Sequence, residues 1–264
     1  MKTFRNNIFK TGFTLAEVLI TLGIIGVVAG MTIPTLINNY QKIQTETQLK
    51  KAYSVLTQFF RQYLADEGCE DLMCTGIFDI TKTDSQYQDD ITELIPKYIK
   101  IIKSCKNGDV SCRYNAKSIK GNTTVTEFDT GGKTAAFITQ DGVEFGVSNS
   151  GCTPTDYPEV SRIKNRCSWI VVDLNGPKSP NVLGKDVFGF GNVAQDGMIY
   201  PDTSVEWAKA KSGTLWESNG DYWKNNDKQC GAVEKTIAET PETWIQGQNC
   251  LARIIENSWE IDYY

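Results

Sequence analysis

Gly12-Phe13-Thr14-Leu15-Ala16-Glu17-Val18-Leu19-Ile20-Thr21-Leu22-Gly23-Ile24-Ile25-Gly26-Val27-Val28-Ala29-Gly30-Met31-Thr32-Ile33-Pro34 begins an apolar run that continues to Ile37. Between Phe13 and Ile37 the only charge is Glu17. A bilayer-spanning helix needs about 20 predominantly apolar residues, so residues 13–37 are expected to span a membrane. Hydrocarbon offers no water to an exposed backbone, which makes a helix the expected form. Lys2, Arg5 and Lys10 precede the run, and basic residues there favour a cytoplasmic N-terminus with everything after the run exported. Glu17 does not suit a plain anchor. An ionised carboxylate inside an apolar helix is costly and requires a cationic partner. A cut after Gly12 would create one, the α-amino group of Phe13 on a neighbouring copy.

Gly-Phe-Thr-Leu-Ala-Glu followed by an apolar run resembles the N-terminal signal of type IV pilins and type II secretion pseudopilins. The resemblance implies that a prepilin peptidase cuts between Gly12 and Phe13 and methylates Phe13. It also implies that Glu17 pairs with a neighbour's N-terminus during assembly. Pro34 falls where these proteins commonly carry a proline, and the stretch around Gly23, Gly26 and Gly30 would unwind locally in a filament. Gly26 and Gly30 also have the small-residue spacing that lets membrane helices approach closely. The likeness covers about the first fifty residues. It departs from the family at Thr11, where Lys or Arg is usual and Lys10 is displaced by one. The competing reading is an ordinary secretory signal cut after Val27-Val28-Ala29, but the internal acid disfavours it.

Past Pro34, Leu36, Tyr40, Ile43, Thr47, Tyr53, Leu56, Phe60 and Tyr63 recur at roughly helical spacing with charged residues between them. The helix is therefore expected to run from residue 13 to 66, on the order of 80 Å at ~1.5 Å per residue, with its second half carrying a head. Gly68 is the expected stop. The domains read as a leader, 1–12, a long helix, 13–66, and an exported head, 67–264.

The 264-residue chain has 27 basic and 32 acidic residues; without the three basic residues of the leader, 24 face 32. An acidic head argues against general nucleic-acid binding, which needs a basic face. With no histidine in the chain, Ser-His-Asp and Cys-His nucleophiles and His-ligated zinc are excluded, and the expectation is not an enzyme. Carboxylate pairs of the glycosidase kind remain possible in principle.

The head reads as sheet-rich. Phe137–Gln140, Asp141-Gly142 and Val143–Val147 predict a hairpin with a two-residue turn. Trp169–Asp173 and Val187–Phe190 read as strands, and Gln195–Tyr200 as a turn and strand. Residues 91–102, interrupted by Pro96, fit either a helix pair or a helix and a strand. Lys211–Asn226, with Trp216, Tyr222 and Trp223, reads as an irregular loop.

Eight cysteines follow the anchor: Cys69, Cys74, Cys105, Cys112, Cys152, Cys167, Cys230 and Cys250. An even number in an exported region predicts disulfides. Eight cysteines allow about 105 connectivities, and only proximity suggests 69–74, 105–112, 152–167 and 230–250. Asp173, Asn175 and Asp186 offer hard oxygen ligands that calcium accepts, although turn chemistry accounts for the same residues and is favoured. The pattern from Asp173 to Phe190 also resembles a segment frequent in pilin-like proteins with large heads. The tail, Cys250–Ile261, is apolar enough to pack on the head, and its aromatics, with Trp207 and Trp244, read as core before contact surface.

These readings lead to an α+β, pilin-like fold, a long N-terminal helix packed on a disulfide-bonded antiparallel-sheet head. The expected protein is a single-pass cytoplasmic-membrane subunit of a type IV pilus or type II secretion pseudopilus. No cofactor is expected other than the calcium just considered. Its expected partners are copies of itself, other pilin-like subunits, prepilin peptidase, the assembly machinery and membrane lipid. A tip subunit acting as adhesin or ligand-capturing module is the first alternative. A membrane-anchored exported enzyme, marked by a cleft holding paired carboxylates, is the second.

Overall fold

The first helix, α1, spans Leu15–Glu67 and includes Pro34 without interruption. The computed structural model describes residues 14–112, 114–117, 119, 124–128, 132–154, 164–200, 230 and 250–263. The chain divides into two units, 1–44 and 45–264. In the first unit the apolar side chains of α1, from Leu15 through Ile43, are exposed all round. A helix that folds against its own core would show one apolar stripe. This one is long and apolar enough to cross a membrane. Two of its hydroxyls are satisfied within the helix: Thr21 Oγ1 donates to the Val18 carbonyl and Thr32 Oγ1 to that of Val28, both at 3.0 Å. The helix is continuous through Gly23, Gly26, Gly30 and Pro34.

In the second unit α1 becomes amphipathic. Leu49, Leu56, Phe59, Phe60, Tyr63 and Leu64 are buried, while Lys50, Lys51 and Arg61 stay exposed. Leu36, Tyr40 and Ile43, expected on the same stripe, belong to the first unit and are exposed. The helix ends one residue beyond the expected boundary. Gly68, at φ +66°, donates to the Ala65 carbonyl, and Cys69 N–H reaches back to Leu64 at 3.0 Å, a Schellman motif that satisfies the last carbonyls.

Strands β1 (Ile101–Cys105), β4 (Thr134–Thr139), β5 (Glu144–Pro154), β6 (Asn165–Asp173), β7 (Val187–Ala194) and β8 (Ile199–Tyr200) form one antiparallel sheet in the order β1-β4-β5-β6-β7-β8. A separate hairpin pairs β2 (Tyr114–Lys117) with β3 (Thr124–Phe128). Facing partners in an antiparallel sheet share a side, so register alone sorts the side chains. Phe137, Phe145, Val172 and Phe188 are consecutive partners across four strands, all buried in one core with the α1 stripe. Each fully buried large apolar side chain contributes ~1.5–3 kcal/mol, so this row, with Phe59 and Phe60, is a substantial part of the cohesion of the head. Tyr53 OH donates to the Ile199 carbonyl at 2.8 Å and ties α1 to the far edge strand.

The opposite side of the sheet is covered as well. Cys105, Cys112, Ala116, Ala136, Val171, Leu183 and Val187 form a second, smaller core. Part of its cover is the loop between β6 and β7, which hydrogen-bonds to β2 through Lys117 N–H to the Asn181 carbonyl, 2.8 Å, and Leu183 N–H to the Lys117 carbonyl, 2.9 Å.

Helix α2 (Asp84–Leu94) starts with a capping box: Gln86 N–H donates to Thr83 Oγ1, and Thr83 N–H donates to the Gln86 side chain. Residues 91–102 resolve as the end of α2, a 3₁₀ turn containing Pro96 and then β1, the helix-and-strand alternative. Buried Gln88 satisfies three backbone groups, donating to the Gly132 and Thr134 carbonyls and accepting from Asn107 N–H. The short helix α3 (Cys250–Glu256) buries Leu251 and Ile254, and Ile261 is buried after it. Ile261 N–H donates to Glu46 Oε1 and Tyr263 OH to the Gly184 carbonyl, so the tail closes on both α1 and the β6–β7 loop.

The hairpin at Asp141-Gly142 corrects the two-residue turn. Thr139 N–H pairs with the Val143 carbonyl, leaving Gln140, Asp141 and Gly142 as a three-residue loop with Gly142 at φ +87°. Thr139 Oγ1 accepts from Val143 N–H and donates to Asp141, which favours the longer loop. Gln195-Asp196-Gly197 repeats the design between β7 and β8, with Ala194 and Met198 as the closing pair. All eight cysteines are bridged, in the proximity pairs Cys69–Cys74, Cys105–Cys112, Cys152–Cys167 and Cys230–Cys250.

Candidate functional site: the start of α1 and the carboxylates of the head

Gly12 and Phe13, the expected cleavage pair, lie outside the described residues, as do Lys211–Asn226, Trp207 and Trp244. Glu17 is described, and it caps its own helix. Thr14 N–H and Thr14 Oγ1 both donate to Glu17 Oε2, at 2.8 and 2.9 Å, and Glu17 N–H donates to Thr14 Oγ1 at 3.2 Å. Thr-x-x-Glu is the capping-box sequence, here written inside the apolar run. Placed on the third helical residue, the carboxylate also sits at the positive end of the helix dipole. Thr14 and Glu17 are exposed, and Oε2 receives both of the bonds from Thr14.

In the head, the β6–β7 loop brings Asp173, Asn175 and Asp186 together. Asn175 N–H donates to Asp173 Oδ1 at 3.0 Å and Asn175 Nδ2 to Asp186 Oδ2 at 3.2 Å. Asp186 Oδ1 accepts from Val182 N–H at 2.5 Å. Asn175 and Asp186 thus lace the loop closed, which is the turn reading of these residues. Burial outweighs those hydrogen bonds and pushes the Asp186 carboxyl up to about 6.

Sequence reasoning missed Glu144. It directly faces Asp173 across β5 and β6, in a row that runs Lys103, Ile138, Glu144, Asp173, Val187. Glu144 and Asp173 are both 0 % exposed, and neither oxygen of Glu144 has a hydrogen-bond partner. Burial, then the Asp173 charge, pushes its carboxyl up to about 8, with Lys103 opposing. Asn181, in the same loop, is also buried, and its Oδ1 has no hydrogen-bond partner. Alternation along β5 assigns Glu144 to the side away from Phe145 and Val147, which reads as solvent in the sequence but is covered by the second core. Among the described residues no three His, Cys, Asp or Glu side chains are grouped to hold a metal ion.

A cleft of about 630 Å³ opens beside α1, floored by Val55, Leu56, Ile99 and Phe145 and rimmed by an ion pair of Lys51 with Asp141 at 2.5 Å. Glu144 and Asp173 do not line it. The arrangement expected of a carboxylate enzyme, an acid pair in an open cleft, is therefore not what these two residues form.

Comparison of the chain with protein-family models, with curated proteins and with solved structures finds no match in any of the three.

Proposed function

We propose that the chain is a type IV pilin-like subunit, made as a precursor, cleaved after Gly12, methylated on Phe13 and assembled through α1 into a membrane-rooted filament of the pilus or secretion-pseudopilus kind. The observation that carries this reading is the change of character along one helix. Residues 15–43 of α1 present apolar side chains in every direction, and from Leu49 onward the same helix buries a single stripe in a disulfide-bonded head. A single-pass anchor could end soon after it leaves the membrane, whereas this helix goes on to supply a core element of the head. The positive-inside bias puts the leader in the cytoplasm, and the four bridges suit an exported head.

Glu17 then has two roles. In the lone subunit it caps α1 with Thr14. In the filament its carboxylate pairs with the amine of a neighbour's Phe13, whose charge would otherwise be buried unpaired, a strongly destabilising situation. Two variants separate the roles. Glu17→Gln keeps a capping-box side chain and loses the charge, whereas Glu17→Leu loses both and removes an acid whose insertion costs ~2.5–3.5 kcal/mol at a bilayer centre, less near the surface. Both variants should insert, be cleaved and form normal disulfides. Neither should appear in sheared filament fractions. Wild-type filament yield from Glu17→Gln would limit the acid to helix capping and remove the pairing step.

A further inference from the structure

We propose that the cleft beside α1 binds a small aromatic carboxylate, its ring against Phe145 and Tyr98 and its charge at Lys100. The filament reading is not needed for this, and the two can fail separately. The cleft lies wholly within the second unit, bounded by α1, the start of β1 and the β4–β5 loop. At about 630 Å³ it falls in the range of small-molecule sites, ~300–1,000 Å³, which are mostly apolar with a few polar groups that fix orientation. Leu56, Ile99 and Phe145 belong to the buried core and still form its floor. Such side chains offer no hydrogen bond, so the body of the ligand has to be apolar. Two of the lining side chains are aromatic and already fixed. Tyr98 meets Phe59 and Tyr63 edge-on, at 5.5 and 6.2 Å between ring centroids, and Phe145 stacks on Phe137 at 5.3 Å. Rings held in this way need no ordering when a ligand arrives, and aromatic pairs contribute beyond the area they bury. A flat ring is the body that suits this cleft.

The charge of the ligand follows from the charged residues of the lining, Lys51, Asp141 and Lys100. Asp141 is satisfied on both oxygens: Oδ2 pairs with Lys51 at 2.5 Å, and Oδ1 accepts from Thr139 Oγ1 at 2.5 Å. Lys51 first and Thr139 second hold its carboxyl below the usual carboxylate range, so it stays ionised. Lys100 is exposed, and its ammonium has no ion-pair partner among the described residues. Its main chain is pinned, because the Lys100 carbonyl accepts from Gln140 N–H at 3.0 Å and so ties the start of β1 to the hairpin loop. The lining therefore carries one positive charge in excess, and charge complementarity selects an anion. Gln48 and Gln140 add side-chain amides, whose N–H groups a carboxylate can accept.

The test titrates the full chain in detergent with 2-naphthoate by calorimetry, with empty micelles titrated in parallel. One naphthoate should bind per chain above the micelle background. The uncharged 2-naphthamide should bind about 5-fold more weakly, the worth of one charged contact near the surface, and the gap should narrow in about 1 M sodium chloride. Val55→Trp puts an indole into the cleft from its half-buried floor and should abolish binding with all four disulfides intact. Lys100→Glu changes an exposed side chain and should reverse the preference, so that the cationic 2-naphthylmethylammonium binds better than naphthoate. It decides the matter if Val55→Trp does not fold. Naphthoate uptake no greater than that of empty micelles would overturn the proposal. So would naphthoate affinity left at the wild-type value by Val55→Trp or by Lys100→Glu. A dimer that forms without the probe and is lost in Val55→Trp would give the cleft to a second copy, and would overturn it too.

Discussion

Gly197 shows how one residue can serve both a turn and a close contact. It closes the three-residue β7–β8 loop at φ +74°, and a Cβ built on it would lie 2.9 Å from Phe60 Cβ on α1. Gly142 closes the equivalent β4–β5 loop at φ +87° with open space around it. Alanine at either position incurs the left-handed backbone strain, ~1 kcal/mol, but only Gly197→Ala must also displace a buried phenylalanine. Gly197→Ala should therefore lower the urea midpoint clearly more than Gly142→Ala. Equal losses would contradict the packing of α1 against this turn. Both Asp-Gly pairs were legible in the sequence as turns. The approach of α1 to one of them was not, because nothing local records which loop a distant helix will touch. Glu144 was illegible for a related reason. An acid on the alternate face of a strand reads as solvated, and Glu144 is nonetheless fully buried because that face of the sheet carries a second core.

At the level of elements, the long helix and β4 to β8 could be read from periodicity and turn residues, whereas the tail was legible only as an apolar segment that packs on the head and not as the helix α3. The β2–β3 hairpin and the covered second face could not, because the small residues that form that face, such as Ala116 and Ala136, give little hydrophobic signal. The bridges make up part of the difference by holding short elements in place. Cys230–Cys250 closes a separation of 20 residues and fastens α3, while Cys69–Cys74 closes only 5 just past the end of α1. In the chain-entropy model, removing both cysteines of the first pair should destabilise by ~3 kcal/mol and of the second by ~2 kcal/mol. Urea denaturation of the two double Cys→Ala variants checks the order. A larger loss at Cys69–Cys74 would mean that local geometry at the helix end outweighs loop length.

Across the whole molecule, the sequence and the structure agree on the α+β class: a long apolar N-terminal helix, an antiparallel sheet and four disulfides. The proposed function rests on the sequence around Gly12 to Glu17 and on α1, whose large apolar side chains from Leu15 to Ile43 are exposed. Processing at Gly12 is thus the proposed event on which the rest depends, since it would create the Phe13 amine that Glu17 is proposed to meet. The most direct measurement is mass spectrometry of the chain purified from membranes after co-expression with a prepilin peptidase. The filament-subunit account predicts a protein shortened by Met1–Gly12 with a methylated Phe13 at its N-terminus. A mature protein that begins at Gly30, or one that keeps its leader whole beside an active peptidase, would contradict it.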